Sequence, residues 1–398
     1  MAMVVRYLGP EQFGLLSYFI SFIALFEPFV YWGMNSVVRK YLIYGVENKK
    51  YLLGTSFVFQ LFSAIWMCIL IYIITSFHED VRDNRLICLI LSIELMFKTF
   101  DLVNVWYESQ VKSKYSAIIK TVTMLIASIF KLLLIHYKCK LVYFAFAMIA
   151  ESVLFPLGCI YILKKHGNSI FEWRFSFSIL KKILKESWPL FLSGLAILVY
   201  MKIDQIMLKH LIGDKAVGIY AAAIKLSEPW YYIAIFLSVS LTPTLTKAKK
   251  ISLGDYYKKL QKIFGLMTAI SLVIMLPIFF LSPYIVTFIF KDRFIEAAPI
   301  LAIHIWAVIF VFWGVAEDPW DVIEGHTKFV LLKTVTAALL NIALNFVLIP
   351  KYSGVGAAWA TVISYAFSSC LLNIFHKKAR KAFYFQLKSF CFWKYIKM

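Results

Sequence analysis

The 398-residue sequence predicts an all-α polytopic membrane protein, with two pseudo-symmetric helical lobes around a central cavity and eleven transmembrane helices in this chain. Three observations predict it. The composition is 61% hydrophobic and only 16% charged, with a mean hydropathy of +0.76, where soluble domains carry about 25% charged residues. Runs of about 20 apolar residues, the length that crosses a bilayer as helix, recur along the whole chain. A glycine-bounded loop near the middle has an echo near the start, which points to a duplicated plan.

The spans follow in order. Residues 13–33 are apolar apart from Glu27, which Pro28 follows; residues 51–76 hold no Asp, Glu, Lys or Arg. Residues 86–107 carry Glu94, Lys98 and Asp101, and residues 116–136 carry Lys120 and Lys131. Residues 141–163 hold Glu151 alone, 187–210 hold Lys202, Asp204 and Lys209, and 218–244 hold Lys225 and Glu228. Residues 263–290 are uncharged, and 297–318 carry a lone His304 and end in Glu317 and Asp318. Residues 329–349 hold Lys333, near enough to an end to snorkel, and 354–375 are again uncharged. The longest polar breaks are residues 164–186, 246–262 and the tail from His376. These breaks divide the chain into an N-terminal lobe (1–165), a C-terminal lobe (166–376) and a basic-aromatic tail (377–398), the tail reading as an interfacial segment.

The net charge of +20 would suit nucleic acid, but its distribution is that of a membrane topology signal. Alternate connections hold 26 and nine Lys and Arg residues. The imbalance places the first set, with the C-terminal tail, in the cytoplasm of a multi-pass membrane protein. A basic cytoplasmic face also attracts anionic membrane lipids. The six cysteines are scattered without a CxxC pair and read as small apolar packing, neither metal site nor disulfide framework. Met1–Tyr7 lacks the apolar core of a signal peptide. No P-loop for ATP occurs, and no cofactor or metal is expected.

The echo pairs Gly9-Pro10-Glu11-Gln12-Phe13-Gly14 with Gly213-Asp214-Lys215-Ala216-Val217-Gly218, at an offset of 204 residues. Trp106 to Lys114 likewise matches Trp320 to Lys328 at an offset of 214. Two repeats meeting around a cavity is a recurrent transporter plan. In the second repeat a span (187–210) precedes the glycine loop, whereas the first has none. The plan therefore implies twelve helices, with the first missing from this chain.

The stretches RYLGPEQFGLLSYFISF (Arg6–Phe22), KIDQIMLKHLIGDKAVGIYAAAIKLSE (Lys202–Glu228) and LNFVLIPKYSGVGAAWATVISY (Leu344–Tyr365) resemble bacterial O-antigen and polysaccharide flippases of the multidrug/oligosaccharidyl-lipid/polysaccharide exporter superfamily. The resemblance implies a twelve-helix fold of two six-helix lobes that work by alternating access. It implies as substrate an oligosaccharide on undecaprenyl diphosphate, moved from the cytoplasmic to the periplasmic leaflet. It also implies the polysaccharide polymerase and chain-length machinery as partners. The missing first helix departs from that pattern.

Ionisable residues inside the spans mark the candidate site, because each costs at least a few kcal/mol in hydrocarbon. Lys202, Lys225, Lys120 and Lys131 are the expected substrate-binding residues, as point charges suited to a phosphate that must be released again. Asp204, Glu228, Asp101, Glu94 and Lys98 are the candidates for ion coupling or charge pairing. Glu94, Lys98 and Asp101 share one helix face, with Glu94 placed to pair with Lys98. Lys202 and Asp204 lie about 200° apart around their helix, so they point different ways. Lys225 and Glu228 are spaced to pair. The acids Glu317, Asp318, Asp321 and Glu324 read as a solvated helix end, and His304 as a packed, hydrogen-bonded residue. The function expected is lipid-linked oligosaccharide flipping. A drug or cation antiporter on the same fold would lean on buried acids, against the lysine surplus. A membrane-embedded transferase would need an acid pair or a His in a sizeable loop, and the loops here are short and basic, so no enzyme is expected.

Overall fold

A computed structural model describes residues 1–77, 84–376 and 379–391. Arg82 and the tail lysines 377, 378, 394 and 397, all counted in the charge pattern, lie outside the described residues. The described chain is helical throughout. In order, the helices are α1 (Ala2–Ala24), α2 (Glu27–Tyr31), α3 (Met34–Tyr44), α4 (Lys49–Phe77), α5 (Arg85–Ser92), α6 (Glu94–Lys98), α7 (Asp101–Ser109), α8 (Lys114–His136) and α9 (Leu141–Lys165). They continue with α10 (Phe177–Leu211), α11 (Asp214–Ser227), α12 (Tyr231–Ile251), α13 (Leu253–Phe290), α14 (Ala297–His304), α15 (Ala307–Glu324), α16 (Thr327–Ala366), α17 (Leu372–Phe375) and α18 (Arg380–Ser389).

Eight stretches among the described residues are long and apolar enough to cross a membrane. The difference from eleven has a backbone cause. The expected span 86–107 is broken into α5, α6 and α7. The expected span 218–244 is interrupted by a 3₁₀ turn at Glu228–Trp230, where Pro229 removes a backbone donor. The last two spans join in one helical run, Lys328–Phe375, that kinks at Ser353 (φ 51°) just after Pro350. Broken helices inside a membrane are tolerated where they are packed in protein or line a polar cavity.

Contacts group the chain into two compact units. One comprises Met1, Met3 and Tyr18–Lys202; the other comprises Ala2, Val4–Ser17 and Ile203–Met398. The sequence places the boundary at 165/166, whereas residues 166–202 pack into the first unit. Leu180 and Ile183 of α10 are buried in its core with Met34, Val38, Leu102 and Trp106. Gly33 (φ 67°) lies so close to α10 that an added Cβ would come within 2.8 Å of the Ser187 carbonyl. The core of the second unit gathers Phe264, Met267, Val308, Phe312, Trp313 and Ala382. The uncharged helices present apolar side chains outward: Phe62, Trp66, Ile69 and Ile73 on α4, Val273, Phe280 and Phe288 on α13. Thr55, Ser56, Ser63 and Ala64 line the inner face of α4, the small-residue packing expected of helices in lipid.

The glycine echo is a structural one. Gly9 (φ 73°) and Gly213 (φ 125°) both adopt conformations that L side chains avoid, and a helix follows each. These two helices cross within the second unit. A Cβ on Gly14 would lie 1.8 Å from the Asp214 carbonyl oxygen, and one on Gly218 would lie 1.9 Å from the Pro10 carbonyl oxygen. Residues 10 and 14 are related to 214 and 218 by the same 204-residue offset, so the crossing is reciprocal, as a local two-fold axis requires. Arg6, just before the first glycine, donates to the Phe288 and Ile289 carbonyls at 2.6 and 2.5 Å, closing the C-terminal end of α13.

The tail differs from a purely interfacial segment. Ala382, Gln386 and Ser389 of α18 are buried. The Gln386 amide donates to the Ser369 carbonyl at 2.7 Å, and Ser389 lies 2.6 Å from the Thr268 hydroxyl. Ser389 thus seats α18 on α13, and Gln386 ties it to the Phe367–Leu371 turn that follows α16.

Candidate functional site

Asp204 on α10 is the most completely enclosed of the expected site residues, at 3% exposure. One carboxylate oxygen accepts from the Tyr220 hydroxyl (2.5 Å) and the Thr361 hydroxyl (2.6 Å), the other from the Asn345 amide (2.6 Å). That amide also donates to Asn341 Oδ1 at 3.0 Å. Thr361 lies 3.0 Å from the Ala357 carbonyl as well, yet its single proton serves only one acceptor at a time. Asn345 Oδ1 and Asn341 Nδ2 have no hydrogen-bond partner. The node therefore joins α10, α11 and α16 around a carboxylate held by neutral donors only. Two hydroxyls and one amide N–H thus meet the carboxylate, with no cationic side chain among these partners.

Lys202, two residues before Asp204, is partly exposed and makes no ion pair among the described residues. Lys225 on α11 is exposed, its ammonium 5.9 Å from the centre of the Phe13 ring. Glu228 is partly exposed at the start of the 3₁₀ turn that ends α11.

In the first unit, Lys98 bridges Glu27 and Glu94, the latter at 3.2 Å. Asp101 accepts from the Tyr31 hydroxyl at 3.0 Å, and Lys120 stands 3.8 Å from it, half exposed and near the Phe155 ring. Lys131 pairs with Glu151 at 2.7 Å across α8 and α9. Its charge is thus met inside its own helical hairpin, which leaves it less available to a substrate than Lys120.

The acids after residue 316 are not a solvated helix end. Glu317 and Asp321 are buried on α15, and Lys333 is buried between them, donating at 2.8 and 3.1 Å. Asn373 donates to Glu317 at 2.9 Å, and His326 Nδ1 lies 3.3 Å from Asp321. Lys333 does not snorkel, because two carboxylates one turn apart meet it inside the protein. Of the four acids only Asp318 is exposed; Glu324 pairs with Lys249 at 2.8 Å. Lys333→Met strands two buried carboxylates and is expected to destabilise by about 3–5 kcal/mol. A melting curve of the detergent-solubilised variant checks this, and K333M combined with E317Q and D321N should recover much of the loss.

His304 is buried, 2.9 Å from the Ser227 hydroxyl and edge-on to Tyr220. Sequence reasoning did not single out Tyr220, Asn341, Asn345 or Thr361. The one signal was the pair of asparagines four residues apart inside an apolar span, which puts two amides on one helix face.

Long apolar helices and outward apolar faces define a multi-pass membrane protein, with a buried polar node among its helices. A family model described as "Polysaccharide biosynthesis protein" matches residues 1–229, and one described as "MatE" matches residues 189–347. The first match spans more than half of the sequence: the chain belongs to the polysaccharide biosynthesis protein family. It is 28% identical over 200 residues to the "Putative O-antigen transporter" of Shigella dysenteriae, and spans about half the length of that curated relative (50% of this chain, 48% of the other). An inward-facing multidrug resistance MATE family transporter of the MOP superfamily superposes with a TM-score of 0.74 at 15% identity, covering 99% of this chain and 94% of that one. The lipid II flippase MurJ, in an inward closed conformation, superposes with a TM-score of 0.70 at 17% identity, covering 98% and 89%. The fold is thus the one shared by MATE and MurJ.

Proposed function

We propose that this chain is a flippase for an oligosaccharide carried on undecaprenyl diphosphate, moving it by alternating access between the leaflets of a bacterial inner membrane with the C-terminus in the cytoplasm. The observation that carries the proposal is Lys225, an exposed lysine held one turn before the Glu228-Pro229 break in the apolar stretch 218–244. A diphosphate cannot cross hydrocarbon without compensating charge, and a lysine at a helix break supplies it as a releasable point charge. Lys202 and Lys120 are proposed as further phosphate contacts, with Lys131 subordinate to its pair with Glu151. Asp204 is proposed as the ion-coupling residue, with Glu27, Glu94, Lys98 and Asp101 as a charge-paired network of the first unit. The name of the Shigella relative and the family description support a polysaccharide passenger.

Lys225→Ala is expected to abolish surface polysaccharide in a complemented deletion strain while protein abundance stays at the wild-type level. Wild-type polysaccharide in that strain removes Lys225 from the site.

A second reading, export of a cationic compound, is favoured by one observation: in the first unit Glu27 and Glu94 share a single lysine, Lys98. Restored polysaccharide without any change in drug resistance would decide for the flippase.

A further inference from the structure

A lysine-walled cavity lies away from the charged spans, at the start of α13. It measures about 700 Å³ and is walled by Lys258, Lys259, Lys262 and Lys388 with Gln261 and Phe385. Lys258 and Lys262 are one turn apart on the same face of α13, and Lys388 comes from the docked tail helix α18. Asp255 is the acid in the wall, and it is already paired with Lys259 at 3.0 Å. A fifth lysine, Lys381, lies over the Tyr257 ring beside the cavity, 4.7 Å from its centre. Positive charge thus exceeds negative by three within the wall, on two helices that the Ser389–Thr268 and Gln261–Phe385 contacts hold together.

Two further observations indicate what fills it. Gln261 is 6% exposed, and its amide donates to the Phe385 carbonyl at 3.1 Å, yet its own carbonyl oxygen has no donor. A ligand that brings hydroxyl groups as well as negative charge would match that oxygen. The level in the membrane is also suitable. α13 has 38 residues and so is about 57 Å long, against a hydrocarbon core of about 30 Å. Its first ten residues, which carry the lysines, therefore stand among headgroups, while Tyr384 and Leu387 of α18 are exposed apolar surface for acyl chains.

We propose that this cavity binds the headgroup of an acidic glycerophospholipid, with the lysines on the phosphate and Gln261 on a headgroup hydroxyl. The site would anchor α18 to the leaflet and is independent of the passenger carried elsewhere.

The test uses the purified full-length chain in neutral detergent, titrated by native mass spectrometry and by melting temperature. The probes are phosphatidylglycerol, phosphatidylcholine and inorganic phosphate. Phosphatidylglycerol is expected to bind at least tenfold more tightly than phosphatidylcholine. The K258Q/K262Q/K388Q variant should lose that tenfold preference while keeping the wild-type melting temperature in phosphatidylcholine. K388Q alone, at an exposed position, should lose about threefold and serves if the triple variant does not fold. A control triple, K164Q/K165Q/K181Q, should bind as wild type. Equal binding of the two lipids, an unchanged preference in the cavity variants, or an equal loss in the control triple would overturn the proposal. An equal melting shift from inorganic phosphate alone would overturn the lipid as the ligand.

Discussion

Asp204→Asn is expected to reduce surface polysaccharide at least tenfold in a complemented deletion strain, with protein abundance and melting temperature close to wild type. The substitution removes one charge and little else. An asparagine at 204 still accepts from the Tyr220 and Thr361 hydroxyls. Its amide can meet the Asn345 carbonyl oxygen, which has no donor in the native node, once that side chain turns over. Packing is therefore kept while the ability to take up and release a proton or cation is lost. Asp204→Ala is the contrasting case: it strands three donors that now point at the carboxylate. Each stranded buried donor costs about 1–3 kcal/mol, so Ala should lower abundance as well as transport. The pair separates coupling from folding. Full transport by the Asn variant would show that the charge at 204 is not used. Flipping in proteoliposomes that survives collapse of every ion gradient would exclude ion coupling at Asp204 independently.

Gly218→Ala, and equally Gly14→Ala, should prevent accumulation of folded protein, read as loss of the monodisperse peak of a fluorescent fusion in detergent. The added methyl group would sit 1.9 or 1.8 Å from a backbone carbonyl oxygen. A side chain could swing aside; a carbonyl inside a helix cannot, so the two helices must part. Overpacking of this kind costs about 3 kcal/mol or more, a large share of the 5–15 kcal/mol that holds a typical domain together. Because both glycines serve one crossing, the double variant should be far less than additive. Gly194 supplies the control. It lies mid-helix with nothing within 4 Å of an added Cβ, so Gly194→Ala should be neutral or gain about 0.5–1 kcal/mol. A well-folded G218A protein would mean that the crossing is looser than described and that the reciprocal contact is not structural.

These two sites differ in how far they are legible in the sequence. The glycine echo shows as two glycines five apart at both places, because a tight turn and a close crossing each demand a residue without a side chain. Asp204 shows as an expensive charge in an apolar run. Its partners do not, since Tyr220, Asn345 and Thr361 stand 16, 141 and 157 residues away. The acids Glu317 and Asp321 mislead for the same reason: a cluster of carboxylates beside a proline resembles a wet helix end until Lys333, a helix away, is brought between them.

The sequence by itself determined that the protein lives in a membrane, how many apolar runs it has, and which charges are out of place. Those properties follow from composition and from the cost of burying charge, both local along the chain. Only the tertiary structure decided which of those charges are already answered. Lys131, Lys98 and Lys333 meet acids from other helices, whereas Lys202 keeps its ammonium partly exposed with no acidic partner among the described residues. Pairing depends on distances between helices far apart in sequence, and helix packing, not the order of residues, sets those distances.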